Sequence, residues 1–402
     1  MSNPKGRVML RSLAVVGAMF LVVTAPRADN GSGGDVHPDG IPHSRILQSS
    51  TQPTRVFRTE DVWRHGGEED SVVFGQIVDI VVGPDKNTFV LDQQLNQVHV
   101  VSPDGDRMWA IGRDGEGPGE FRNPCGLGVF SDGTVCVFQS MPARAVLLLR
   151  DGTAAGDQAL SPEGHWAPSF LNGGAVVLDQ PVLYAAEVQQ KKASLVLTTN
   201  FTRIDRDGNV VANYWKRTQS ADAANIEFDE QSDAAPVWAV GPDGRLYVNV
   251  AWDRYEIEVR NADGSLAYRI EREYEPYERT AHDFAAVRRK IESGLMSEDT
   301  KISKTVPDIQ ALFPRDDGSL WVLSSRGEKG VAPGTLATLD VFDEAGRWNG
   351  QVTLLHPQYS PGIDTFYLVN DLVYIATNAG EWATEIDGGD MELLCTRMAK
   401  VR

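Results

Sequence analysis

The sequence predicts an all-β protein: a six-bladed β-propeller of four-stranded antiparallel blades, its ring closed by an N-terminal strand, with one helical insertion between blades 4 and 5. Three observations carry this expectation. Short β-rich runs alternate with recurring Asp-Gly turn signals, those signals have a long period, and the two ends of the β-rich region complement one another in strand count.

The turn signals come first. Pro84-Asp85-Lys86-Asn87, Pro103-Asp104-Gly105, Ser131-Asp132-Gly133, Arg150-Asp151-Gly152, Arg206-Asp207-Gly208, Pro242-Asp243-Gly244, Ala262-Asp263-Gly264 and Asp316-Asp317-Gly318 are variants of one signal. The Asp side chain caps the turn, and Gly supplies a positive φ. Asp85 to Asp104 and Asp132 to Asp151 are 19 residues apart, Asp243 to Asp263 is 20, and Asp85 to Asp132 is 47. Two hairpin turns within a period in the forties describe a four-stranded blade.

Residues 78 to 121 form one full unit, with strands VDIVV, TFVLD, VHVVS and RMWAIG and a Gly-rich link, RDGEGPGEF. Residues 122 to 160 repeat the plan, and weaker units follow at about 165–216, 235–276, 307–357 and 364–402. The last offers three strands, DTFYLV, LVYIATN and MELLCTRMAKV, while residues 54 to 64 are an unpaired strand-like run before the first unit. Joining the two ends completes the last blade and removes exposed sheet edges. Residues 277 to 296 break the β pattern. Thr280 and Asp283 resemble a capping box, Phe284, Val287, Ile291 and Leu295 form an apolar stripe, and Gly294 helps to end the helix.

The N-terminus reads differently. Lys5, Arg7 and Arg11 precede the uncharged apolar run Ser12 to Thr24, and small residues follow at Ala25 and Ala28. This is the pattern of a secretory signal peptide over residues 1–28. The run is shorter than the roughly 20 residues of a spanning helix. The expected location is therefore exported, periplasmic or secreted, with no membrane span in the mature chain. Residues 29–53 are Gly, Ser and Pro rich and read as a flexible linker, with the propeller over 54–402. Removing residues 1–28 moves the formal charge from −18 to −22. Such an acidic surface disfavours nucleic acid and anionic lipid as partners. Cys125, Cys136 and Cys395 are too few for a disulfide scaffold and include no C-x-x-C; register places Cys136 opposite Gly128.

Residues 83–138 resemble the six-bladed propellers related to the NHL repeat, the TolB-like group. Val90, Leu91, Asp92, Asn96 and Val98, the following SPDG and the GxGPGxF link carry the resemblance, which is strong over about 72–152 and thinner towards the C-terminus. It implies a six-bladed ring and little about activity, because the fold hosts receptors, scaffolds, lactonases and lyases.

No recognisable catalytic motif or zinc-spaced Cys/His set is present. The loop Arg113 to Phe121 reads as a tight crossover between blades with Phe121 plugged between sheets, rather than a phosphate or calcium loop. Asp92 and Asn96 read as clamps of their own turn. In a four-stranded meander, the loops after second strands and the links between blades emerge on one face, which also carries the helix. Met141, Arg144, Tyr184, Trp252, Asp253, Arg254, Arg326, Glu381 and Trp382 fall there. Arg144, Tyr184, Trp252, Arg254, Arg326 and Trp382 are the expected ligand-binding set, since Trp and Arg dominate binding hot spots. The leading functional expectation is a binding or scaffold module for a protein, peptide or glycan, needing no cofactor. The alternative is a lactonase-like, metal-dependent hydrolase or lyase. The resemblance would then imply calcium at the channel mouth, with oxygens from Asp79, Asp92, Asp179, Asn249 and Asp308. A purely structural envelope role is the third.

Overall fold

A computed structural model describes residues 43–46, 54–68, 70, 72–158, 160, 170–191, 194–222, 231, 235–249, 251–294, 296–380 and 390–401. Residues 1–28, read as a signal peptide, most of the stretch read as a linker, Leu295, Glu381 and Trp382 lie outside the described residues.

The chain forms consecutive antiparallel meanders. The first is β3 (Ile77–Val82), β4 (Thr88–Asp92), β5 (Gln97–Val101) and β6 (Met108–Ile111). The second is β7 (Pro124–Val129), β8 (Val135–Gln139), β9 (Arg144–Leu148) and β10 (Ala154–Gln158). The third is β11 (Phe170–Val177), β12 (Gln180–Lys191), β13 (Ser194–Ile204) and β14 (Val210–Asp222). The fourth is β15 (Val237–Val240), β16 (Leu246–Asn249), β17 (Glu256–Arg260) and β18 (Leu266–Arg272). Strands β19 (Ile309–Pro314), β20 (Leu320–Ser324), β21 (Thr335–Phe342) and β22 (Trp348–Leu355) follow. Then come β23 (Thr365–Val369), β24 (Leu372–Ala376) and β25 (Glu392–Lys400).

The last two groups form one eight-stranded sheet, not two separate four-stranded ones. The cause is β2 (Thr54–Gly66), a 13-residue strand. Its first part, Thr54–Arg58, runs parallel to β22, and from Phe57 onward it pairs antiparallel with β25. A second N-terminal strand, β1 (His43–Ile46), lies within the stretch read as a linker and pairs parallel with β18.

A hydrophobic cluster fills each gap between successive meanders. Phe89 and Leu91 meet Leu127 and Val137, Phe138 meets Leu171 and Leu183, and Phe201 and Tyr214 meet Leu246 and Val248. Ile257 and Ile270 meet Ile309 and Leu320, and Leu339 and Val352 meet Val373 and Ile375. Trp63, Tyr374 and Leu393 then pack on Ile77, Ile80 and Val90, so the last sheet returns to the first and the whole is an all-β propeller. Phe121, fully buried, fills the first gap, as the crossover reading requires. The inner strands of the second and third meanders approach so closely that a Cβ on Gly126 would lie 2.3 Å from the Gly174 carbonyl oxygen.

Second strands β4, β8, β16 and β20 are buried throughout, whereas inner strands β3, β15, β19 and β23 have several half-exposed residues. The inner strands therefore face an accessible central channel.

The turns follow the local chemistry. Asp132, Asp151, Asp243, Asp263 and Asp317 each accept from the backbone N–H two residues on. At Arg206-Asp207-Gly208 the capping side chain is instead Asp205, which accepts from Asp207 and Asn209. The first turn has no Gly, so Lys86 takes φ +67°. Relieving that left-handed strain with Lys86→Gly is expected to stabilise the protein by about 0.5 to 1 kcal/mol, read from the urea midpoint.

The helix forms as α1 (Ala281–Glu292), shorter than the segment read from sequence. Thr280 and Asp283 complete the capping box. Val287 is buried, while Phe284 and Ile291 are half-buried. Lys329, beyond the short helix α2 (Ser325–Glu328), reaches Asp283 at 3.6 Å and ties α1 to the loop after β20. Among the described residues no helix is long and apolar enough to cross a membrane.

Candidate functional site at the channel mouth

In each meander the first strand starts, and the second ends, on the same face; Ile309 pairs with Ser324 and Thr365 with Ala376. Clamps built from the chain itself organise this face. Asp92 is fully buried at the end of β4 and accepts from the N–H groups of Gly75, Gln76 and Leu95 at 2.6, 3.1 and 3.0 Å. Gln139 and Asn249 close β8 and β16 in the same way, Gln139 donating to the Pro142 carbonyl and Asn249 to those of Arg254 and Glu256. Asn96 holds the neighbouring meander instead of its own turn, since its Oδ1 accepts from the Asn123 N–H at 3.1 Å.

The expected ligand-binding set is dispersed. Tyr184 is no loop residue: β12 continues through it, and it is buried and stacked on Phe201 with ring centroids 4.6 Å apart. Burial of its hydroxyl pushes the phenol up to about 12. Arg144 is spent on structure, donating to the Glu120 carbonyl at 2.6 Å and lying 3.5 Å from Asp157. Trp382 is outside the described residues.

Trp252 and Arg254 lie in the loop after β16, and Arg326 in α2 directly after β20, on the face that carries α1. Trp252 Nε1 donates to the Thr305 carbonyl at 3.2 Å, and its own carbonyl accepts from the Asp308 N–H at 2.9 Å. Arg254 is exposed and pairs with Glu256 at 3.1 Å. Arg326 donates to the carbonyls of Glu275 and Pro276, gripping the segment that leads into α1. Beneath them lies Asp308, 1% exposed, with Oδ1 lacking a hydrogen-bond partner. Burial, with the Asp253 carboxylate nearby, raises its carboxyl to about 7 against the pull of Arg326.

A cavity of about 380 Å³ runs along the channel between β3, β19 and β23. Near the helix-bearing face it is lined by Gln310, by Glu328 at the end of α2, and by Asp364, which immediately precedes β23; Asp79 lies in its wall on β3. Phe313, Tyr359, Phe366 and Tyr367 supply aromatic surface. Asp364 is held in place by the N–H groups of Ser360 and Asn378 at 2.7 and 3.2 Å, and burial raises its carboxyl. Asp79 accepts from the Leu127 N–H at 2.9 Å, and burial lifts it to about 6. Tyr367 donates to the Ile77 carbonyl at 2.8 Å, which orients its ring beside Asp79. The described lining residues include no Lys, Arg, His or Cys.

Sequence reasoning missed Gln310, Glu328, Tyr359, Asp364 and Tyr367. Asp364 was visible only as the first residue of DTFYLV, where an ordinary strand start explains it equally well.

The candidate calcium ligands do not assemble. Asp179 sits in the turn between β11 and β12, at the opposite ends of the strands, where it accepts from the Ser131 N–H at 2.7 Å. Asp92 and Asn249 are committed to backbone. In the crossover loop, Glu120 pairs with Arg113, and Asp114 with Arg122. Among the described residues no three His, Cys, Asp or Glu side chains converge as a metal-ligating group, so no reaction step is derived through a metal. Gly128 does pair with Cys136, and all three cysteines are free thiols. Burial pushes Cys125 and Cys395 up to about 12, which suppresses thiolate chemistry.

No protein-family model and no curated protein matches the sequence. Similar solved structures include a protein from Bacteroides fragilis whose description proposes that it is exported. It is 12% identical, with a TM-score of 0.50, covering 90% of this chain and 100% of its own. A streptogramin B lyase is 11% identical with a TM-score of 0.40, covering 80% of this chain and 79% of its own. A gluconolactonase from Xanthomonas campestris is 15% identical with a TM-score of 0.43, covering 81% and 87%. The two enzymes are too distant in structure to support an argument, and the first likeness speaks to the fold alone. By its own sheets and by that likeness the chain is an all-β propeller, and its function has to be argued from its own residues.

Proposed function

We propose that this chain is an exported, six-bladed propeller that acts as a binding module, taking part of a peptide or glycan ligand into the channel mouth on the helix-bearing face. The blade count treats the eight-stranded sheet as two blades spliced by β2, so that β3, β7, β11, β15, β19 and β23 are the six inner strands. The basic-then-apolar N-terminus supports export, as does the description of the Bacteroides fragilis protein.

The observation that carries the binding reading is the cavity itself. It combines aromatic walls with a few polar groups, the composition of a ligand pocket. Its volume, about 380 Å³, suits one side chain or one sugar ring better than a whole macromolecule. A larger ligand would rest its remainder on the rim formed by Trp252, Arg254 and Arg326.

The test is a plugged channel. Ala311 lines the cavity from β19, and Ala311→Trp would fill much of it. Ligands selected on oligosaccharide and peptide arrays should lose at least ten-fold in affinity for this variant, with circular dichroism confirming the fold. Unchanged binding of every selected ligand would place recognition elsewhere and sink this reading.

A further inference from the structure

Resting on that binding reading, we propose that the channel-mouth cavity takes a cationic end group, an ammonium or guanidinium on a short apolar stem, with Asp79 as its counter-charge. Three observations point the same way. The charged residues described in the lining, Asp79, Glu328 and Asp364, are all acidic. An anionic group entering there would be desolvated against like charge, so the lining selects by sign.

The carboxylates also differ in availability. Asp364 is buried with both oxygens taken by backbone N–H groups, whereas Asp79, held by the N–H groups of Leu127 and Ile80, stays partly exposed. Asp79 is thus a half-buried carboxyl in a ligand-sized cavity whose described walls supply no cation. A bound cation would stabilise its ionised form, the reverse of what burial does.

The aromatic walls match the stem and the charge. Phe366 lies 6.3 Å from Phe313 and 6.2 Å from Tyr359, centroid to centroid, and these faces can hold methylene groups and attract a cation. The chain's formal charge of −18 adds a long-range attraction that salt should weaken.

The experiment is calorimetric titration of the purified protein with four probes: cadaverine, Nα-acetyl-lysine amide, its Nε-acetylated neutral counterpart, and glucose. The two cations should bind at least ten-fold more tightly than the neutral pair. Asp79→Asn should lower cation affinity at least ten-fold while keeping an acceptor for the Leu127 N–H, with the thermal midpoint as the check on folding. Binding should also weaken as pH falls below about 6. Glu328→Gln, at the rim, should cost less. If cations bind but Nε-acetyl-lysine amide binds as tightly, or Asp79→Asn has no effect, the cationic assignment is overturned. If the neutral probes bind and Ala311→Trp abolishes this, the cavity is still a ligand site and only the charge assignment fails. If no probe binds, the cationic assignment falls and the array-selected ligands still test the cavity; if binding ignores Ala311→Trp, both proposals fall.

Discussion

Asp340→Ala is expected to be among the most destabilising single substitutions in this chain. Asp340 is 1% exposed on β21, in the eight-stranded sheet. It forms an ion pair with Arg272, at the end of β18 in the neighbouring sheet. The same carboxylate accepts from Tyr255 Oη and from Gln351 Nε2, each at 2.9 Å. Arg272 also lies over the Trp348 ring, 4.9 Å from its centroid. Removing the carboxylate leaves a partly buried guanidinium, a phenol and an amide without their acceptor. Breaking a buried pair from one side costs about 3 to 5 kcal/mol, and urea unfolding should show a loss of that size. Replacing both partners with apolar residues, as in Arg272→Met with Asp340→Leu, should recover a large part of it. A loss below about 1 kcal/mol for Asp340→Ala would mean that the pair does not stitch the two sheets together.

The second large effect concerns pH. Asp308 has its carboxyl raised from 3.8 to about 7, chiefly by burial and then by the Asp253 carboxylate, with Arg326 opposing. In the unfolded chain the group ionises near its ordinary value, while in the folded protein it holds its proton to about pH 7. The folded state therefore binds the proton more tightly. Its stabilising contribution is full below about pH 4 and is lost as pH rises to about 7. Asp308→Asn removes that titration. The variant should be more stable than the parent above pH 7 by on the order of 1 to 4 kcal/mol, with the gain vanishing towards pH 4. The unpartnered Oδ1 makes the site tolerant of an uncharged amide. Because Asp79 and Asp364 are also raised by burial, the informative quantity is the difference between variant and parent at each pH. A constant difference between pH 4.5 and 8 would show that Asp308 does not titrate in this window.

Some of this was legible from the chain alone. The strand TFVLD is found at the residues read for it, and the hairpin turns fall at their Asp-Gly signals, because both depend on a few neighbouring residues. The capping box at Thr280 and Asp283 is equally local. The run at 54–64 could be matched to the last three strands by counting, and β2 does pair with β25. Counting could not show that the same strand also pairs with β22 and splices two meanders into one sheet.

The site was less legible, for a physical reason. Tyr184 looked like a loop residue because β12 and β13 run on well past the expected turn, and nothing within a few residues of Tyr184 signals that extension. Arg144 looked available because its acceptor, the Glu120 carbonyl, is brought to it by packing across the second meander. The cavity needs Asp79, Gln310, Glu328 and Asp364 together, residues that span most of the chain. By itself the sequence determined the turns, the strand repeat, the helix and the face on which links and loops emerge, since these follow from local backbone chemistry and alternation. Only the tertiary structure decided which inner strands leave a ligand-sized gap, and which carboxyls line it. Those depend on desolvation and on distances between strands hundreds of residues apart.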